Sequence, residues 1–147
     1  IRGDHFGIVF QTFNLLPYIT VKNNILLGKA YSNRKQLLSS NDEVKILMDK
    51  LSLNYKDLVD RKAYELSIGQ QQRVAVARAL IGKPEIIIAD EPTSALDQDN
   101  QKEFINLIFK SLDENEQGLI MVSHDKKLSN KFKIVKNITE ICEVNND

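Results

Sequence analysis

The sequence has a single cysteine, no tryptophan and no long apolar run. One cysteine, Cys142, cannot form an internal disulfide, and no charged-then-apolar export segment opens the chain, so we expect a reducing, cytoplasmic setting. The apolar runs, such as Glu85–Ala89 and Leu119–Val122, are far shorter than the ~20 residues that a membrane-spanning helix needs. We therefore expect no direct membrane span, and any link to a membrane would come through a partner.

The chain also lacks an excess of either charge, because 20 Lys and Arg residues balance 20 Asp and Glu residues. A neutral chain has no field that recruits nucleic acid or an anionic membrane surface, so neither is an expected partner. The length of 147 residues is that of one domain. Such a domain buries roughly two-thirds of its unfolded surface around one core.

Three short segments have the composition of buried strands: Phe6–Phe10, Glu85–Ala89 and Leu119–Val122. The three consecutive isoleucines of the second segment predict a strand that is covered on both faces, as in a parallel sheet. Helical patterns, the first of them from Val21 to Tyr31, separate the segments, and right-handed connections then predict a three-layer α/β fold. We divide this single domain into an inserted helical subdomain, a core, and a tail predicted as a helix and then a strand: residues 14–66, 67–125 and 126–147.

Two adjacent acids, Asp90 and Glu91, follow the second predicted strand. Open α/β sheets place their ligand crevices at the carboxyl ends of strands. In phosphoryl transfer an aspartate there holds Mg²⁺, and a neighbouring carboxylate orients or deprotonates the attacking water. Pro92 predicts extended geometry at Glu91. The simpler alternative is that the two acids end a strand at solvent.

A second polar pattern, Ser67 with Gln70, marks the start of the helix that precedes this strand. Taken alone, it is a capping box in which the serine and the glutamine satisfy each other's backbone N–H groups. Gly69 in the first turn lowers the stability of the helix by about 1 kcal/mol relative to alanine. Glycine is an advantage at this position only if another group approaches the backbone. A helix N-terminus suits a phosphate, so the alternative is a phosphate contact.

Four segments, in this order, resemble the motifs of ATP-binding-cassette (ABC) ATPases. They are similar to the Q-loop, the signature motif, the Walker B strand with its D-loop, and the switch histidine: Phe10–Val21, Leu66–Arg73, Ile86–Asp97 and Ser123–Asp125. The resemblance implies a partial P-loop NTPase fold with an inserted helical subdomain. The Q-loop is similar to that of the subgroup serving lipoprotein-release and macrolide-type exporters.

The resemblance also implies a role for each matching residue. Asp90 would bind Mg²⁺, and Gln11 would sense both the metal and the attacking water. Glu91 would be the general base, and His124 would hydrogen-bond both Glu91 and the γ-phosphate of ATP. The segment that follows Gln11 would meet a transmembrane permease subunit.

Further implied roles concern a second ATP-binding subunit, which would form a homodimer with this chain. Ser67, Gly69 and Gln70 would contact the γ-phosphate of ATP bound to the opposite subunit. Asp97 would end the loop that crosses to that subunit. Its residue type, just before a helical pattern, also predicts on its own that Asp97 caps the following helix. The chain departs from the family at Ile68, where the signature usually has a glycine.

A phosphate-binding loop of the form Gly-x-x-x-x-Gly-Lys-Ser/Thr is absent from the sequence. The two Gly-Lys pairs, at residues 28–29 and 82–83, are followed by alanine and proline, and neither has the upstream glycine. Since the family places this loop before the Q-loop, we expect the N-terminal portion of the cassette to be lacking. ATP and Mg²⁺ are then expected only with that portion or a partner.

Two hypotheses of function follow from these motifs. In the first, the chain is part of an ATPase subunit that drives an exporter. In the second, it is a truncated or degenerate cassette that dimerises or docks on a membrane partner without turnover. Either way, we expect apolar sheet surface around Ile86–Ile88 to be uncovered, and such surface favours self-association.

Overall fold

A computed structural model describes residues 5–30, 40–94, 96–113 and 116–141 of the chain. Three parallel strands form one sheet in the order β1-β2-β3: β1 is Phe6–Val9, β2 is Ile86–Asp90 and β3 is Gly118–Val122. All three strands coincide with the segments predicted from composition, apart from one extra residue in β2, Asp90, and one in β3, Gly118. The parallel sheet and the helices that connect its strands confirm the α/β class.

Helices and 3₁₀ turns connect and flank these strands. The α-helices are α1 (Val21–Leu26), α2 (Ser40–Lys50), α3 (Tyr55–Leu58), α4 (Ile68–Leu80), α5 (Gln98–Ser111) and α6 (Ile138–Ile141). The 3₁₀ turns are Leu27–Lys29, Ala63–Glu65 and Lys126–Lys131. The predicted helix from Val21 to Tyr31 is shorter than expected and ends in a 3₁₀ turn, while its last residue lies outside the described residues.

Both crossover connections run in the same direction across the sheet, from β1 through α4 to β2 and from β2 through α5 to β3. Right-handed connections that run in one direction place both helices on the same face of a parallel sheet. The burial of side chains agrees, because Val9, Ile87 and Ala89 are buried on that face. Of the three predicted layers, the described residues therefore form the sheet and one layer of helices.

The opposite face of the sheet is apolar and exposed, with Phe6, Ile8, Ile120 and Val122 among its residues. The prediction that β2 is covered on both faces is wrong, because its burial alternates and residues 86 and 88 are only half-buried. The physical reason is the common direction of the two crossovers, which leaves this face without a helix from either connection. The prediction of uncovered apolar sheet surface is confirmed.

We expect this exposed face to make the chain self-associate, because removing apolar surface from water is favourable and β3 lies at an edge of the sheet. Sedimentation velocity over a wide range of chain concentrations measures the effect. Ile120→Lys should shift the distribution toward the monomer, whereas Ile46→Lys, a control at another exposed isoleucine, should not. A mass that stays monomeric at every concentration would contradict this expectation.

The predicted helical subdomain, residues 14–66, has its two ends hydrogen-bonded to each other. The amide of Val21 donates to the carbonyl of Arg61 at 2.8 Å, and the amide of Ala63 donates to the carbonyl of Ile19 at 3.2 Å. The short polar segment from Asn54 to Lys62 contains the helix α3. These contacts support the predicted boundaries of the subdomain, which stay a prediction.

The C-terminal tail differs from the prediction of a helix followed by a strand. A 3₁₀ turn is followed by an irregular segment and then by α6, and residues 132–141 contain no strand. Ile134 and Val135 are exposed there, because no neighbouring strand in the described part of the chain packs against their β-forming side chains. Cys142 and the predicted fraying of the last residues lie outside the described residues.

Among the described residues, none of the helices combines the length and the apolar character that crossing a bilayer requires.

Candidate functional site

The site begins where the three parallel strands end, at one edge of the sheet. Val9 pairs with Ala89, and Asp90 pairs with Val122. The residues that follow these pairs, Gln11 after β1 and His124 after β3, are therefore at the same edge as the strand-end acids. The strand order thus brings together three of the four predicted motifs.

Glu91 occupies a left-handed backbone conformation with φ of 43°. The prediction that Pro92 holds Glu91 in extended geometry is therefore wrong. The backbone N–H of Glu91 donates to the carbonyl of Val122 at 3.0 Å, and its carbonyl accepts from the amide of Ser94 at 3.2 Å. These two hydrogen bonds close a turn directly after β2, and they outweigh the local preference of a residue that precedes proline.

The carboxylate of Glu91 is held by the residues after β3. Its Oε1 accepts from the backbone N–H of His124 at 2.8 Å and lies 2.8 Å from Nδ1 of the same residue. Its Oε2 accepts from Oγ of Ser123 at 3.3 Å. Because Nδ1 faces Glu91, Nε2 of the largely exposed imidazole is left for another partner.

Two glutamines to which the motifs assign no role stabilise the turn after Glu91. Nε2 of Gln72, a fully buried residue of α4, donates to the carbonyl of Pro92 at 3.2 Å. Nε2 of Gln101 in α5 donates to Oγ1 of Thr93 at 2.9 Å. A signal for Gln72 was present in the sequence, because a polar residue four positions before Val76 falls on the apolar face of α4.

A cavity of about 340 Å³, here called the strand-end cavity, is lined by Glu91, His124 and other residues that follow β2 and β3. Asp90 and Gln11 are exposed at the same sheet edge. No cluster of three or more His, Cys, Asp or Glu side chains in the described residues could hold a metal ion alone. Mg²⁺ is commonly bound by only one or two carboxylates together with water and substrate phosphates, so this oxygen donor set fits it.

The signature residues form the N-terminus of α4 with the predicted capping box. Oγ of Ser67 accepts from the amide of Gln70 at 3.3 Å, and Oε1 of Gln70 accepts from the amide of Ser67 at 3.0 Å. A Cβ at Gly69 would meet no atom within 4 Å. The chain itself therefore does not require glycine at this position, and the backbone of Gly69 is open to an outside group.

Ile68, the departure from the family pattern, is the first residue of α4 and is 58% exposed. The described non-glycine residues with positive φ are Phe13, Asn14, Ser52, Lys83 and Glu91, so position 68 does not need the conformation that favours glycine. The backbone at position 68 is therefore compatible with an isoleucine.

A second cavity of about 470 Å³, here the signature cavity, is lined by Ser67, Gly69 and Gln70. Two arginines, Arg61 and Arg73, also line it. Neither Glu91 nor His124 is among its lining residues. Within one chain the signature and the strand-end residues thus face different cavities, so the structure does not bring these two groups of predicted site residues together.

Asp97 caps α5, as predicted. Its Oδ1 accepts from the amide of Asn100 at 3.0 Å, and its Oδ2 accepts from the side chain of that residue at 2.7 Å. These hydrogen bonds favour the ionised carboxylate and lower the pKa of Asp97 below its usual value. The cap therefore fixes the end of the loop that follows Pro92.

Comparisons with known proteins agree with the motifs. The family described as ABC transporter matches residues 1–94. The macrolide export ATP-binding/permease protein MacB of Bdellovibrio bacteriovorus is 40% identical over 135 residues, which are 90% of this chain and 20% of MacB. YvcR of Bacillus subtilis, an uncharacterized ABC transporter ATP-binding protein, is 40% identical over 126 residues, which are 84% of this chain and 47% of YvcR.

Solved structures show the same relationship. The dimeric structure of MJ0796, a bacterial ABC transporter cassette, has a TM-score of 0.74 and 35% identity, and covers 88% of this chain and 56% of that chain. The same cassette was solved as a dimer in a post-hydrolysis state bound to ADP and Pi, with a TM-score of 0.72 and 35% identity, covering 86% of this chain and 55% of that one. The chain thus spans at most about half the length of the relatives described here.

Proposed function

Because the chain belongs to the ABC transporter family, we propose that it forms part of an ATP-binding cassette that couples ATP hydrolysis to transport across a membrane. The observation that carries the proposal is the contact of the Glu91 carboxylate with Ser123 and His124, at the sheet edge that also bears Asp90. A carboxylate that is oriented in this way, next to a second acid, is arranged to act on water at a phosphate.

In this function Glu91 accepts a proton from the attacking water. The backbone N–H of His124 and Oγ of Ser123 orient its carboxylate, which lowers the entropic cost of the reaction. Asp90 and Gln11 are the residues that would hold Mg²⁺, which neutralises phosphate charge when bound. Nδ1 of His124 contacts Glu91, and Nε2 of the same ring is the atom that would reach a phosphate.

The signature residues act in a second cassette. Since Ser67, Gly69 and Gln70 face the signature cavity and not the strand-end cavity, they are placed to contact ATP that is bound by another subunit. The unpaired N–H groups and the positive end of α4 suit a phosphate there. This arrangement supports a homodimer with two composite sites, in which Asp97 holds the end of the loop between the subunits.

A permease subunit would bind beside the Gln11 loop, and it would attach the cassette to the cytoplasmic face of the membrane. Leu16, Tyr18 and Tyr64 are exposed in this region, and the rings of the two tyrosines lie 6.1 Å apart. An exposed pair of aromatic residues next to an exposed leucine is typical of a docking surface. The similarity to MacB supports an exporter of the macrolide type.

Calorimetric titration with ATP and Mg²⁺ tests this function, with Glu91→Gln suppressing turnover. The complete gene product should bind ATP saturably. The present chain alone should show no binding up to millimolar ATP, because the phosphate-binding loop is not among its residues. Because the given sequence does not contain that loop, a second candidate function is a non-catalytic module for docking or dimerisation. Failure of the complete gene product to bind ATP would contradict the ATPase proposal and support the module.

A further inference from the structure

The loop after Gln11 contains two consecutive residues in the left-handed backbone region, Phe13 with φ of 59° and Asn14 with φ of 48°. Asparagine tolerates this region, but an aromatic residue rarely occupies it. Such residues persist only where the surrounding structure holds them in place. The conformation of the loop therefore depends on contacts from outside it.

One side chain supplies these contacts. Nη1 of Arg78 donates to the carbonyl of Asn14 and Nη2 donates to the carbonyl of Phe13, both at 2.6 Å. A charged donor makes each hydrogen bond stronger, and the planar guanidinium reaches both carbonyls at once. Burial lowers the pKa of Arg78, although the group stays charged at neutral pH. The two strained residues are thus held by the helix that bears the signature.

Close backbone packing fixes Arg78 in position. A Cβ at Gly28 would lie 1.9 Å from the carbonyl oxygen of Arg78, and a Cβ at Gly7 would lie 2.2 Å from that of Ala79. The C-terminal turn of α4 is therefore in direct backbone contact with β1 and with the 3₁₀ turn after α1. Because neither contact leaves room for movement, the guanidinium extends from a rigid support.

A separate anchor holds the far end of the same loop. The fully buried side chain of Asn24 in α1 accepts from the amide of Leu16 at 2.8 Å and donates to its carbonyl at 3.0 Å. It also lies within hydrogen-bond distance of the carbonyls of Ile19 and Thr20. The loop thus has two independent anchors, and the one near Gln11 belongs to α4.

We propose that Arg78 is a positioning residue that fixes the Gln11 loop to the signature helix, α4. Ser67 and Arg78 lie roughly 16 Å apart along one helix, so the tether fixes the position of the loop that begins at Gln11 relative to the signature. The signature and the Gln11 loop then move together rather than independently. The functional consequence rests on the proposed ATPase function, but the tether itself does not.

Hydrogen exchange of individual amides in the complete gene product tests the tether without any turnover. The amides of Phe13 and Asn14 donate to carbonyls within the loop, so they exchange only when the loop opens. Arg78→Lys keeps the charge but loses the planar fork, and we expect these two amides to exchange about tenfold faster. The amide of Leu16, held by Asn24, and the amides of α4 should keep their rates.

Arg73→Lys is the matched control, because Arg73 lies on the same helix and also donates to backbone carbonyls, those of Leu51 and Ser52. It should leave exchange at Phe13 and Asn14 unchanged. Phe13→Asn provides a second test, since asparagine tolerates the left-handed region. In that background the effect of Arg78→Lys should fall below threefold.

An unchanged exchange rate at Phe13 and Asn14 would overturn the proposal. A rise in exchange that extends over α4, or a full tenfold effect in the Phe13→Asn background, would overturn it as well.

ATP turnover gives an independent readout. Arg78→Lys should lower kcat severalfold with KM for ATP within twofold, because Gln11 is misplaced while nucleotide contacts remain. A rise in KM for ATP as large as the fall in kcat would contradict a positioning role. Absence of turnover in the wild type would refute only the ATPase function, since the exchange result stands without it.

Discussion

Replacing Glu91 with glutamine is expected to lower the rate of ATP hydrolysis by the complete gene product by about 10²–10⁴-fold. Glutamine has nearly the same shape, and its Oε1 can still accept from the backbone N–H of His124, a contact of 2.8 Å in the native protein. It cannot accept a proton from water. The chemical step should therefore fail while the turn after β2 keeps its geometry. Release of phosphate under saturating ATP measures the effect.

The matched control is Asp99→Asn, which removes a carboxylate from the exposed first turn of α5. Its turnover should stay within twofold of the wild type. The affinity of Glu91→Gln for ATP should also be retained, which separates lost chemistry from lost binding. Turnover within fivefold of the wild type would mean that Glu91 is not the general base.

Replacing Gly7 with alanine is expected to destabilise the protein by about 3 kcal/mol. The new Cβ would lie 2.2 Å from the carbonyl oxygen of Ala79 and 2.9 Å from Cδ1 of Ile87. The first contact is with helix backbone, which cannot rotate away as a side chain can. Either β1 or α4 must therefore shift, and both contribute to the hydrophobic core. Chemical denaturation of the complete gene product measures the free energy of unfolding.

Gly69→Ala is the matched control for this prediction, because a Cβ there meets no atom within 4 Å. Alanine is a better helix former than glycine, so this variant should gain about 0.4–1 kcal/mol of stability. ATP turnover should nevertheless fall, since the methyl group occupies the space that is open to a phosphate. If both substitutions changed stability in the same direction, the packing account of Gly7 would be wrong.

Much of the site was predictable from residue types and their order. Asp90 and Glu91 lie at the end of a strand, Ser67 and Gln70 form a capping box, and Asp97 caps a helix, as expected. These features depend on residues close together in the chain, because a cap or a strand end involves only a few neighbouring positions. The roles of these residues in catalysis and binding stay predictions.

Other parts of the site could not be derived from local pattern. The left-handed conformation of Glu91 comes from a hydrogen bond to Val122, which is 31 positions away in the sequence. The contacts of Arg78 with the carbonyls of Phe13 and Asn14 span 65 and 64 positions, respectively. No periodicity within a short window encodes contacts at such separations. Gln72 lies between these cases, because its buried position was predictable but its contact with Pro92 was not.

The sequence by itself determined the three strand segments to within one residue, where α4 and α5 begin, and which residues stand at the strand ends. Hydrophobic periodicity and capping are local, so they survive without knowledge of the fold. Only the tertiary structure decided the order β1-β2-β3 and the common direction of its crossovers. That direction places α4 and α5 on one face and exposes the other, and it aligns the carboxyl ends of three distant strands. Long-range strand pairing, which no local pattern contains, is the physical reason for the difference.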